Sequence, residues 1–193
     1  MTEHNHSQEV LSKTVFGFWF YLMTDCVLFA TFFAAYAVLQ NNTFGGPSAK
    51  ELFSLPTAFI ETLIIFASSF TVGPLEIAAV KHGKKRVLAW LLAALVLGSI
   101  FLVMVFGDLV GLVNSGNSWT RSAFLSAYFT LVGTHLMHIV AGLLWIVVMI
   151  MQVHFRGITE QTLRRLTCLK LFWHFVAIVW IFIFSIVYLL GAI

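Results

Sequence analysis

Charge is what this sequence has least of. Only 10% of its 193 residues are Asp, Glu, Lys or Arg, while 60% are hydrophobic. A water-soluble domain of this length carries roughly a quarter charged residues to cover its surface. The shortage therefore excludes a soluble enzyme, a disordered tail and a nucleic-acid binder. The solvent for this chain is lipid. Its formal net charge of +3 and pI near 9.0 then describe charge placement around a bilayer, not a basic groove for a polyanion. Cysteine is scarce too: Cys26 and Cys168 lie in apolar stretches, supply no disulfide framework and read as small buried hydrophobes.

What is present is a set of five apolar runs, each long enough for the roughly 20 helical residues that cross the hydrocarbon core. They cover 15–39, 56–80, 87–113, 123–153 and 166–192. Continuous apolarity, without the alternation of a barrel strand, predicts helices. The fold class is thus an all-α integral membrane bundle of five transmembrane helices, with residues 1–14 as a cytoplasmic tail and 15–193 as one membrane domain. The first run does not read as a signal peptide: it is long, contains Asp25, and has neither a basic segment directly before it nor a small-residue cleavage site after it. Residues 1–14 carry His4 and His6 but no periodic pattern and read as a mobile tail. The first loop, 40–55, contains Asn41-Asn42-Thr43-Phe44-Gly45-Gly46-Pro47, a dense turn signal; its Asn-x-Thr reads as a turn, not a glycan site. The other loops are 81–86, 114–121 and 154–165, which leaves no room for an extramembrane domain, and no internal repeat suggests the duplicated halves of a transporter.

Lysine and arginine sort the two ends. Lys13, Lys81, Lys84, Lys85, Arg86, Arg156, Arg164, Arg165 and Lys170 fall on one side, nine against Lys50 and Arg121 on the other. The positive-inside rule places the N-terminus in the cytoplasm and the C-terminus in the periplasm. The run Lys81 to Arg86 reads first as that anchor and second as a lipid-binding patch. Trp19, Tyr21, Trp90, Trp119 and Tyr188 lie towards span ends and form an interfacial belt, and the many Phe read as lipid-facing and packing residues.

Four acids lie inside the spans, where a charge costs about 2.5 to 3.5 kcal/mol on insertion scales. Asp25, Glu61, Glu76 and Asp108 should therefore face helices, water or partners. Glu76 is explained by an interfacial ion pair with Lys81 and the basic loop. Asp25 has Tyr21 one turn before it on the same face. Glu61 shares a helix face with Ser68, with Thr62 and Ser69 beside it, and two readings stand: hydrogen bonding across to another helix, or holding a proton. Gly73-Pro74 in the same run predicts a kink. Asp108 sits in Gly107-x-x-x-Gly111, a spacing that favours close helix packing over a functional site. His135 and His138 share one face of the fourth helix and, with His174, invite a metal or haem hypothesis, set against satisfied histidines in a helix interface. Two histidines on one helix cannot ligate one haem from both sides.

Taken in order, several segments form a pattern: Phe16-Gly17-Phe18-Trp19-Phe20-Tyr21-Leu22-Met23-Thr24-Asp25, the Gly45-Gly46-Pro47 loop, Glu61-Thr62 with Ser68-Ser69, Phe124-Leu125-Ser126-Ala127, Gly133-Thr134-His135 with His138, and Phe172-Trp173-His174-Phe175 through Val179-Trp180. Together they resemble subunit III of the haem–copper oxidases, of the cytochrome o ubiquinol oxidase type, from about Val15 to Ile193. The resemblance implies an accessory subunit of a respiratory ubiquinol oxidase in the bacterial inner membrane. It would pack on subunit I and other subunits and bind phospholipid in a V-shaped cleft, supporting assembly, stability and proton uptake. It implies no cofactor, metal or catalytic residue in this chain, since haem groups, copper and oxygen chemistry belong to subunit I. On the same basis Glu61 matches the family's intramembrane glutamate, and His135 and His138 match its histidine pair near the cleft. Asp25, Asp108 and His174 complete the candidate polar set for proton handling or the lipid cleft. Two positions depart from the family: Ala177 stands where an acid is common, and Val105 stands one turn before Asp108 in place of a glutamate. Each loss removes a polar partner from the intramembrane network. Two other function classes remain alongside: a self-contained redox protein ligated by His135, His138 and His174, and a small proton-coupled transporter built on Glu61 and Asp25.

Overall fold

A computed structural model describes the backbone of all residues except Met1, Phe44, Gly46, Pro47, Ser48, Phe53, His82 and Ile193, and the side chains from Lys13 onward other than those of Glu51 and Ala192. Five helices are long and apolar enough to cross a membrane: Lys13–Leu39, Leu55–Lys81, Lys84–Asn114, Ala123–Arg156 and Glu160–Leu189. The described residues contain no strand.

The first helix, α1 (Thr2–Leu39), starts well before the expected crossing, so the backbone read as a tail continues the helix. Its buried side is a single narrow stripe, Leu22, Asp25, Phe29 and Tyr36, at spacings of three, four and seven residues. Most of the remaining surface of α1 faces outward. A single turn, α2 (Ala49–Leu52), interrupts the first loop. Of the turn signal expected there, Phe44, Gly46 and Pro47 lie outside the described residues.

The second crossing is two helices, α3 (Leu55–Val72) and α4 (Leu75–Lys81), broken at Gly73-Pro74. Proline has no N–H to continue the ladder and clashes with the preceding turn, so the expected kink is a full interruption. The basic loop is shorter than expected. Gly83, at φ +77°, turns the chain, and Lys84, Lys85 and Arg86 already form the first turn of α5 (Lys84–Asn114). His82 lies outside the described residues. Lys84 Nζ donates to the His154 carbonyl and ties this turn to the end of α6 (Ala123–Arg156). Ser122 caps α6 by accepting from Leu125 N, and Thr159 caps α7 (Glu160–Ile183) by accepting from Thr162 N. These caps explain why the helices outrun the apolar runs: hydropathy marks the lipid crossing, whereas the cap sets the helix end.

The last crossing is the hub. Half of its apolar stretch is buried, against 22% for the first crossing and 39% for the fourth. Its buried stripe, Leu166, Leu169, Trp173, Val176, Trp180, Ile183 and Val187, alternates three and four residues without a break. The stripe on α6, Tyr128, Val132, His135, Ile139, Gly142, Ile146, Met149 and Val153, does the same. That pattern presents one continuous seam to a neighbouring helix. Helix α7 passes into a π-helical turn, Phe184–Leu189, and ends in the short α8 (Leu190–Ala192). In that turn Val187 and Tyr188 are both buried. Tyr188 is therefore not part of an interfacial belt. It is 3% exposed and its hydroxyl meets that of Tyr128 at 3.0 Å.

Close helix approach occurs at glycines other than the expected pair. A Cβ at Gly98 of α5 would lie 2.8 Å from the Trp173 ring, and one at Gly142 of α6 would lie 2.7 Å from it. The Trp173 indole is thus wedged between two glycine backbones, a contact that any side chain would obstruct. At Gly107 and Gly111 nothing lies within 4 Å. Among the described residues the close packing expected there does not form. Both glycines instead border a cavity.

Candidate functional site

Four polar side chains of the second crossing meet the last one. Trp180 Nε1 donates to Thr62 Oγ1 at 3.0 Å, Trp173 Nε1 donates to Ser68 Oγ at 3.1 Å, and Ser69 Oγ shares a hydrogen bond with His174 Nδ1 at 2.9 Å. One turn beyond the Gly73-Pro74 break, Glu76 Oε2 pairs with Lys170 Nζ at 3.1 Å. As the number rises along α3 and α4 it falls along α7, which is the mark of an antiparallel pair. Ser68 Oγ also donates to the Ala94 carbonyl of α5 at 3.3 Å. The expected hydrogen bonding across helices is therefore met by Thr62, Ser68 and Ser69, and the ion pair of Glu76 is met by Lys170 rather than Lys81. In the sequence Trp173 and Trp180 stand out only as members of a motif. The signal for their role was available: two indoles seven residues apart face two hydroxyl residues, Thr62 and Ser68, at nearly the same spacing.

A second polar group joins α1, α6 and α7. His138 Nε2 lies 3.7 Å from Asp25 Oδ2, and its Nδ1 faces the Thr134 carbonyl at 2.8 Å. A carbonyl only accepts, so Nδ1 carries the proton. His135 is fully buried, and its Nε2 donates to the Val176 carbonyl at 3.1 Å. That contact likewise fixes the proton on Nε2 and leaves Nδ1 without a partner among the described residues. The Phe29 ring bridges the two imidazoles, with centroids 6.4 Å from His135 and 5.1 Å from His138. The structure thus brings Asp25, His135 and His138 together, while His174 turns away towards Ser69. Among the described residues, no three His, Cys, Asp or Glu side chains gather to hold a metal ion.

The third group is the least satisfied. Glu61 is fully buried, and neither carboxyl oxygen has a hydrogen-bond partner among the described residues. It follows Ile60 and precedes Thr62, which accepts from Trp180, and the Trp180 ring packs on Phe101 at 4.7 Å and on Tyr188 at 6.1 Å. Asp108, Tyr128 and Tyr188 are close enough to interact with it electrostatically. The two positions where the family places further acids are apolar and buried: Val105 is 1% exposed and Ala177 4%.

The fold and these seams define a polytopic, all-helical membrane protein whose polar side chains mainly join helix to helix. Comparison with known families makes this specific. The family model described as cytochrome c oxidase subunit III matches residues 1–192. The chain belongs to that family. It is 50% identical over 190 residues to the cytochrome bo(3) ubiquinol oxidase subunit 3 of Pseudomonas aeruginosa, covering 98% of this chain and 91% of that one. It is 41% identical to the protein of the same name from Buchnera aphidicola, covering 94% of each. Identity with the cytochrome c oxidase subunit 3 of Bacillus sp. strain PS3 is 39%, covering 98% of this chain and 91% of that one.

Proposed function

We propose that this chain is the accessory, non-redox subunit III of a proton-pumping cytochrome o-type ubiquinol oxidase in a bacterial inner membrane. The observation that carries the reading is the 50% identity to a ubiquinol oxidase subunit 3 over 98% of the chain. Relatives named for quinol oxidases run from 50% to 36% identity and one named for cytochrome c stands at 39%, so the reading of quinol as the electron donor rests on the 50% relative. In this reading haem and copper reside in subunit I, and this chain packs on subunit I with its N-terminus in the cytoplasm. The internal pairing of Thr62, Ser68, Ser69, His135 and His174 fits a packing role, since those groups are engaged in holding helices. An apolar groove of about 480 Å³ between α1 and α7, floored by Phe29 and Phe175, suits a phospholipid acyl chain. Asp25, Glu61, Asp108, His135, His138 and His174 are the polar residues through which proton uptake and the lipid cleft would be influenced. Purification by a tag on this chain should recover a haem-bearing complex that oxidises quinol. A monodisperse chain without haem-bearing partners would overturn the reading.

A further inference from the structure

Glu61 poses a physical problem. A carboxyl taken out of water without any hydrogen bond loses several kcal/mol, and buried polar groups in folded proteins are almost always satisfied by protein or by ordered water. No described residue satisfies this one. On the side of the bundle that carries the first and third loops lies a cavity of about 460 Å³, lined by Ser54, Asp108, Ser115, Asn117, Tyr128 and Tyr188. This volume holds many waters, and the lining offers the several polar partners that ordered water needs. Ser54 is seven residues before Glu61, so the two lie on the same face two turns apart, roughly 10 Å along the axis. The floor of the cavity is the hydroxyl pair of Tyr128 and Tyr188. Tyr188 packs on Trp180, and Trp180 bonds Thr62 beside Glu61. At the mouth, Arg121 donates to the Asn117 side chain, and Asp108 is the acid along the wall.

We propose that this cavity is the aqueous entrance to Glu61, so that its carboxyl exchanges its proton with the membrane face carrying the first and third loops, past Asp108 and the Tyr128–Tyr188 pair. In the orientation proposed above that face is periplasmic. The inference deepens the proton-handling reading of Glu61 and rests on it. The route also accounts for Gly107 and Gly111: their bare faces leave the cavity open where side chains would fill it.

The same openness supplies the test. Gly111→Phe and Gly107→Phe place a ring into free space on a helix at no backbone cost, and so plug the cavity while leaving the packed seams untouched. Gly133→Phe, also in free space but bordering an apolar groove on α6, is the control. The purified chain in phospholipid nanodiscs is transferred to heavy water, and the infrared carbonyl band of the Glu61 carboxyl, identified by its loss in Glu61→Gln, is followed as deuterium replaces the proton. Exchange should slow at least tenfold in either plugged variant and match the parent in Gly133→Phe. Equal rates in parent and plugged variants, equal slowing by Gly133→Phe, or no exchangeable Glu61 band at all would overturn the proposal. No turnover is measured, so failure here is distinct from failure of the oxidase assignment, which co-purification decides.

Discussion

Replacing Gly142 by alanine isolates the Trp173 wedge. The added Cβ would sit 2.7 Å from one ring atom, 3.0 Å from a second and 3.1 Å from Phe172, where ordinary contact starts at 3.4 Å. The indole must withdraw by roughly 0.7 Å, and overpacking of this kind costs typically 1–3 kcal/mol. It cannot withdraw freely, because Gly98 closes its other side and its Nε1 is held by Ser68. Stretching that bond adds about 0.6 kcal/mol, the average for polar contacts between membrane helices. Against this, alanine is intrinsically better than glycine within a helix by about 0.8–1.0 kcal/mol. The net expectation is a loss of about 0.6–2.8 kcal/mol, read by reversible unfolding of the purified chain in mixed detergent micelles. The decisive measurement is the double-mutant cycle with Trp173→Phe. With the smaller ring, Gly142→Ala should become neutral or stabilising, as Gly133→Ala should be in the parent, where nothing lies within 4 Å. An equal cost of Gly142→Ala in both backgrounds would refute the wedge.

Other variants probe the remaining seams. Thr62→Val leaves the Trp180 indole N–H without its acceptor, and Trp180→Phe removes the donor; each should cost about 0.5–2 kcal/mol, and the double variant less than their sum, in the same unfolding assay. Lys170→Met should cost under about 1 kcal/mol, since its side chain and that of Glu76 are 28% and 35% exposed and water screens the pair. Glu61→Gln should change stability by less than about 1 kcal/mol, since the amide keeps the volume and a neutral group. In the purified oxidase it should lower sustained turnover with the haem spectrum unchanged; bleached haem would contradict an accessory role.

The five crossings were legible because lipid solvation requires long apolar helices and tolerates little else. The Gly73-Pro74 interruption was legible for a covalent reason, the missing amide hydrogen. Partner choice was harder to read. Glu76 was matched to a lysine near in sequence, but Lys170 reaches it from a helix 94 positions away. The glycines show the same limit. Gly107-x-x-x-Gly111 has the local spacing of a close contact, yet closeness depends on what the neighbouring helix presents, and it was Trp173 that sought Gly98 and Gly142. The burial of Tyr188 depends on the neighbouring crossing that supplies Tyr128, which no local periodicity announces. Of the candidate site, the buried carboxyl and the histidine pair were visible as residue types, whereas the cavity beside them required the helices in place.

The position of the hub in the chain bears on how the protein is made. Thr62 is synthesised 118 residues before the indole whose N–H it accepts. At typical translation rates of 5–20 residues per second, that is an interval of about 6–24 s. During it the hydroxyls of α3, and the His135 ring for a shorter time, lie in the bilayer without their final partners. Helices α3, α5 and α6 pack on one another without α7, so what stays open is the seam that the last crossing closes. Arrival of the last crossing completes the bundle in one step, with Trp173 and Trp180 closing against helices already waiting. A ribosome stalled before residue 173 would therefore leave a membrane-inserted chain whose seams are open, a natural substrate for insertion chaperones and for intramembrane quality control.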